Sequence, residues 1–136
     1  MSNRDSKTYS LFVAKGATGV SNAIFSKDFR NAVVTLNTAN SANMTVKFQG
    51  AIVGSDGAAA PDFSAAQSST NQWDYVQAID LQSGAQVDGD TGFVVTGTDD
   101  HKIYEFNTNH LDYISLRITA RSAGDITADI TLSNNE

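Results

Sequence analysis

Two histidines, His101 and His110, flank a stretch that contains Glu105, and His101 follows Asp99 and Asp100. Imidazole and carboxylate are the groups that hold a transition metal or exchange protons near neutral pH. Nine positions separate the two rings, a spacing that fits neither a helical His-x-x-x-His face nor the two-residue step that would aim both from one strand face. They read as polar residues at strand ends. Asp88 and Asp90, set among Gly89 and Gly92, resemble a fragment of a calcium loop, in which alternating carboxylates supply oxygen ligands. An EF-hand needs a bidentate Glu at its twelfth position, and counting from Asp88 that position is Asp99. Asp88 and Asp90 are therefore weak candidates for a surface calcium ion, and a solvated turn that needs Asp and Gly for its backbone angles is the preferred reading. No other metal and no cofactor is expected.

Nucleophilic catalysis finds no support: the serines include no Gly-x-Ser-x-Gly elbow, and neither a P-loop nor a dinucleotide fingerprint occurs. Thirteen aspartates against two glutamates look like turn and surface usage rather than a pair of hydrolytic carboxylates. The chain is expected not to be an enzyme. Among the aromatics, Trp73 and Tyr75 alternate onto one strand face, where they would make a sugar-stacking platform, a protein hot spot or a piece of core.

The elements that must carry these residues are strands. At the C-terminal end Ile114, Leu116, Ile118 and Ala120 alternate with polar neighbours, and Ile126, Ala128, Ile130 and Leu132 resume the pattern after the turn-like run 121–125. A hairpin closed by Ser122-Ala123-Gly124 would set Ile118 against Ala128 and pair Arg121 with Asp125 and Arg117 with Asp129. Ala32, Val34 and Leu36, then Met44, Val46 and Phe48 across the polar run 37–43, predict a second hairpin. Further strands are expected at Tyr9 to Ala14, Trp73 to Asp80, Phe93 to Thr96 and His101 to Asn107, with a short piece between Ile24 and Phe29. The sum is an all-β fold, an antiparallel β-sandwich of jelly-roll or Ig-like type with about eight strands. Gly54 to Asn71, with Asp56-Gly57 and the only proline, Pro61, reads as a long loop.

At 136 residues the chain has the length of one domain, expected over 9–136 behind a flexible N-terminal arm, 1–8. The absence of cysteine excludes disulfides, thiol catalysis and thiolate metal sites. A net charge of -6 with scattered basic residues argues against nucleic acid as a partner. The polar start, Met1 to Thr8, fits neither a secretory signal nor a membrane span, so synthesis in a host cytoplasm and no membrane partner are expected.

The run Met44-Thr45-Val46-Lys47-Phe48-Gln49-Gly50, then Gly54-Ser55-Asp56-Gly57 and Trp73, resembles the strand-turn pattern of small virion proteins of tailed bacteriophages. Glu105-Phe106-Asn107-Thr108-Asn109 and the stretch from Leu111 to Gly124 look like the closing hairpin of those β-sandwich proteins, and the resemblance spans residues 32 to 132. It implies a structural protein of the virion, most similar to a capsid decoration (cement) protein on the outside of a shell of major capsid protein. A tail, neck or fibre component and a carbohydrate-binding module are the alternatives. The implied partners are the major capsid protein and other copies of the chain, as a homotrimer, with Arg4, Lys7, Phe25, Phe29 and Trp73 as contact candidates.

Overall fold

The computed structural model describes residues 6–54, 58–108 and 110–134. Nine strands follow one another: β1 (Ser6–Lys15), β2 (Gly19–Val20), β3 (Ile24–Phe25), β4 (Asn31–Ala51), β5 (Asp74–Val76), β6 (Ile79–Asp80), β7 (Phe93–Gly97), β8 (His101–Asn107) and β9 (Tyr113–Ser133). All pairings are antiparallel and all nine strands belong to one hydrogen-bonded sheet. The all-β antiparallel class is the one expected.

The two hairpins are not. Each expected pair of strands is a single strand of 21 residues, and β4 and β9 lie side by side along their whole length. Ala32, Val34 and Leu36 face Leu132, Ile130 and Ala128, whereas Val46, Phe48 and Gly50 face Ile118, Leu116 and Ile114. Arg117 consequently lies opposite Lys47 and Asp129 opposite Thr35, so the cross-strand charge pairs of the hairpin register do not form. Alternation alone left the two arrangements equivalent, because even-numbered residues face the core in both.

What looked like turns are bulges. Asn40 and Ser41 have φ of 57° and 53°, and Gly124 beside them has φ of 72°. Between Ala39 and Asn43, β4 carries two residues more than its partner; β9 makes up one between Asn43 and Met44 and one between Thr45 and Val46. The register at both ends is therefore the same. A bulge bends and twists its strand, and here the bend is shared across the sheet. Asn40 Nδ2 donates to Asp125 Oδ2 at 2.9 Å, the Ser41 amide donates to Thr98 Oγ1 at 2.9 Å, and the Asp99 amide donates to the Thr38 carbonyl at 2.8 Å. The chain crosses this line between β7 and β8, which pair with opposite halves of β4.

The bend folds the sheet around one core. On one side of it β1 and β8 flank β9 and β4; on the other, β2 and β3 flank β9 while β5 and β7 flank β4. Phe48, beyond the bend, has its ring 5.6 Å from Tyr104 and 5.2 Å from Phe106, both before it, and Phe93 meets Tyr104 at 4.6 Å. Val34, Val46, Ile114 and Ile126 are sealed in the same cluster. Aromatic contacts of this kind add about 0.5–1.5 kcal/mol each to the burial itself.

β8 has the expected limits. The expected strand 73–80 is instead β5 and β6, because the chain leaves β4 and crosses to β8. β1 begins at Ser6, opposite Ser133, so the last three residues of the anticipated arm are paired; Met1 to Asp5 lie outside the described residues, as does the turn at Asp56-Gly57.

Candidate functional site

The outward face of the sheet beyond the bend is not left to solvent. Residues 58–73 lie across it and bury Phe63 and Trp73 against Ala51, Val20, Tyr75 and Tyr113 as a second, smaller core. The long loop expected from composition is thus a cover, tied down by its own polar groups. Asn71 bridges the Asp62 amide and carbonyl, and Asp62 accepts from the amide and hydroxyl of Ser64 at 3.0 and 2.5 Å. These Ser64 hydrogen bonds hold the Asp62 carboxyl below its usual pKa.

Beneath the cover the outward positions are polar. Gln49 is fully buried: its Nε2 donates to the Phe63 carbonyl at 2.9 Å and its Oε1 accepts from Ser115 Oγ at 2.8 Å. Arg117, next along β9, donates to the same carbonyl at 3.3 Å and lays its guanidinium 5.9 Å from the centre of the Trp73 ring. Trp73 is closed on its other sides by Phe63 at 6.3 Å and Tyr75 at 5.0 Å, and its Nε1 donates to the Ala65 carbonyl at 3.0 Å. With 8% of its surface exposed it is a core residue, so no sugar-stacking platform of Trp73 and Tyr75 exists. Lys47 completes the group, its ammonium 4.9 Å from the centre of the Tyr75 ring.

Two depressions border this covered face. A cleft of about 310 Å³ opens between the cover and β2, walled by Thr18, Ser64, Tyr75, Arg117 and Thr119 among others. A shallower and mostly apolar hollow of about 380 Å³ lies on the other flank, around Ile52, Trp73 and Leu111.

The residues singled out by type fall elsewhere. His101 starts β8, where its Nδ1 meets Asn37 Oδ1, and His110 lies beyond the other end of that strand, so the structure does not bring them together. Asp88 and Asp90 are exposed on a turn in which the Asp88 carbonyl accepts from the amides of Thr91 and Gly92. Gly89 is pressed on the Tyr75 backbone, where a Cβ would come within 2.8 Å. Among the described residues no three His, Asp or Glu side chains converge as metal ligands would. Of the contact candidates, Phe29 and Trp73 are spent in the interior, Lys7 and Phe25 reach solvent, and Arg4 lies outside the described residues. Phe25 stacks edge-on against Tyr113 at 5.4 Å.

Arg117, Lys47 and Gln49 were missed as a set because each looks like an ordinary outward strand residue. The local signal that marks the place is the break in apolar-polar alternation at Gly50-Ala51.

No family model matches the chain, and no curated protein does. Two solved structures share its fold. The SPBc2 prophage-derived protein YomS superposes with a TM-score of 0.69 at 11% identity, over 98% of this chain and 97% of its own. The PBSX exported protein XepA superposes with a TM-score of 0.72 at 11% identity over 98% of this chain, which spans only 39% of XepA. At such identity the likeness is one of fold, shared with the whole of YomS and with part of the longer XepA chain.

Proposed function

We propose that this chain is a non-enzymatic structural protein of a tailed-phage virion, a capsid decoration protein seated on the outer surface of the major capsid protein shell as a homotrimer. The observation that carries the phage assignment is the end-to-end match with YomS, a prophage protein of nearly the same extent. Surface chemistry is compatible with docking. β1 ends the strand path and leaves one edge unpaired among the described strands, with Val13 76% exposed. Such an edge accepts a partner strand through main-chain hydrogen bonds. The charge of -6 favours solubility of the unbound protein.

The test is co-sedimentation of the purified protein with expanded shells that lack it, together with its solution mass by light scattering. Saturable, stoichiometric binding and a trimeric mass are the expected results. Shells that pellet without the protein would remove the decoration role.

XepA is described as an exported protein, and this favours one second reading: a phage-encoded protein that leaves the cell on its own. Mass spectrometry of density-purified virions against cleared medium separates the two, since a virion component is enriched with the particles and an exported protein is depleted from them.

A further inference from the structure

We propose that the cleft between the loop cover and β2 is a binding site for a phosphate-type oxyanion, held by the guanidinium of Arg117 and the hydroxyls of Thr18, Tyr75 and Thr119. This does not rest on the virion reading.

The cleft is lined by one cation, Arg117, in an acidic protein, and Lys47 lies beside it across the strand pair. Among the described residues the one ion pair is Lys102 with Asp100, away from this face. Arg117 has only a carbonyl at 3.3 Å and the face of Trp73, and Lys47 has only the face of Tyr75. The two cations occupy directly opposite positions on β9 and β4, an arrangement that costs stability unless a negative charge sits between or beside them. The cleft walls carry no carboxylate. Ser64, which does line the cleft, has its hydroxyl committed to the Asp62 carboxylate.

Thr18, Tyr75 and Thr119, by contrast, have no hydrogen-bond partner through their side chains among the described residues, although all three line the cleft with Arg117. A guanidinium fork supplies parallel N–H donors, and Tyr75 of β5, Thr119 of β9 and Thr18 of the β1–β2 connection add three hydroxyls to the lining. That set suits an acceptor with several oxygens in a tetrahedron better than a planar carboxylate, which Arg alone satisfies. A volume of about 310 Å³ leaves room for a substituent, so an ester fits as well as the free ion.

The experiment is titration of the full chain with inorganic phosphate and, separately, with dimethyl phosphate at ionic strength held constant with chloride, read by amide NMR shifts and by calorimetry. Saturable shifts at residues 18–20, 64, 75 and 117–119 are expected, with a melting temperature that rises with ligand. Preference for the first probe indicates a free phosphate or monoester, preference for the second the diester of a polymer. Arg117→Gln should weaken Kd at least tenfold with a cooperative urea transition retained. Should that variant misfold, Thr119→Val and Thr18→Val, which leave Arg117 in place, should each weaken Kd several-fold. Shifts no larger than those given by chloride for both probes, or equal affinity in the folded variants, would overturn the proposal.

Discussion

Gly124 occupies a position that no other residue fills without moving the neighbouring strand. Its φ of 72° is left-handed, and a Cβ there would stand 2.4 Å from Ala42 Cα and 2.6 Å from the Ala39 carbonyl oxygen. Gly124→Ala should cost about 3 kcal/mol, combining backbone strain with overpacking against main chain, measured as a lower urea midpoint. Gln49 is the polar counterpart. Gln49→Leu keeps the volume but strips Ser115 Oγ of its acceptor and the Phe63 carbonyl of its shorter donor, for an expected loss of about 1–3 kcal/mol. Tyr104, only 1% exposed, has its hydroxyl pKa raised above the ordinary 10.0, first by burial and then by Asp80 and Asp100. In the unfolded chain the phenol ionises near its ordinary value, so its contribution is complete below that pH and falls as pH rises above it. Alkaline unfolding should therefore be less steep in Tyr104→Phe, followed by fluorescence above pH ~10.

At the scale of elements the decisive feature is the pairing of β4 with β9, and cysteine cross-linking reads it directly in a chain that has no cysteine of its own. Thr35 and Asp129 are directly opposite, within the Cα separation a disulfide spans. Thr35→Cys with Asp129→Cys should oxidise readily within one chain, whereas Arg117→Cys with Asp129→Cys, the pair a local hairpin would join, should remain reduced. The strands themselves were legible: β8 was delimited to the residue, and the core positions of β4 and β9 follow from alternation. Their partners were not. A run such as Thr38-Ala39-Asn40-Ser41-Ala42 has turn chemistry because the backbone needs left-handed φ there, and a bulge needs it as much as a hairpin does. The cover segment escaped for a related reason. Its polar residues satisfy its own backbone, as Asp62 and Asn71 do, while Phe63 and Trp73 alone supply its apolar anchorage. The cleft it forms with β2 joins residues from four distant parts of the chain, a juxtaposition no local pattern records.

For the whole molecule, the bend makes each half of the sheet depend on the other. Residues 126–133 pair with β1 on one side and with the first part of β4 on the other, and their side chains fill the core that Phe48 enters from beyond the bend. Almost nothing in this arrangement is local: β1 pairs with residues 126–133, and β4 with a strand whose residues lie far later in the chain, from Asn31 with Ser133 to Ala51 with Tyr113. Sheets built from such distant pairings fold on the order of milliseconds to seconds, because loop closure precedes any reward from contacts. A chain ending after Asp125 retains the local alternation of every remaining strand but loses the part of β9 with which β1 and the first half of β4 pair. It should show no cooperative urea transition and no near-ultraviolet circular dichroism, even though β2, β3, β5 and β7 keep all of their pairing partners. A cooperative transition in that fragment would mean that the half-sheet beyond the bend is a folding unit by itself, and that the shared core contributes less than its continuity suggests.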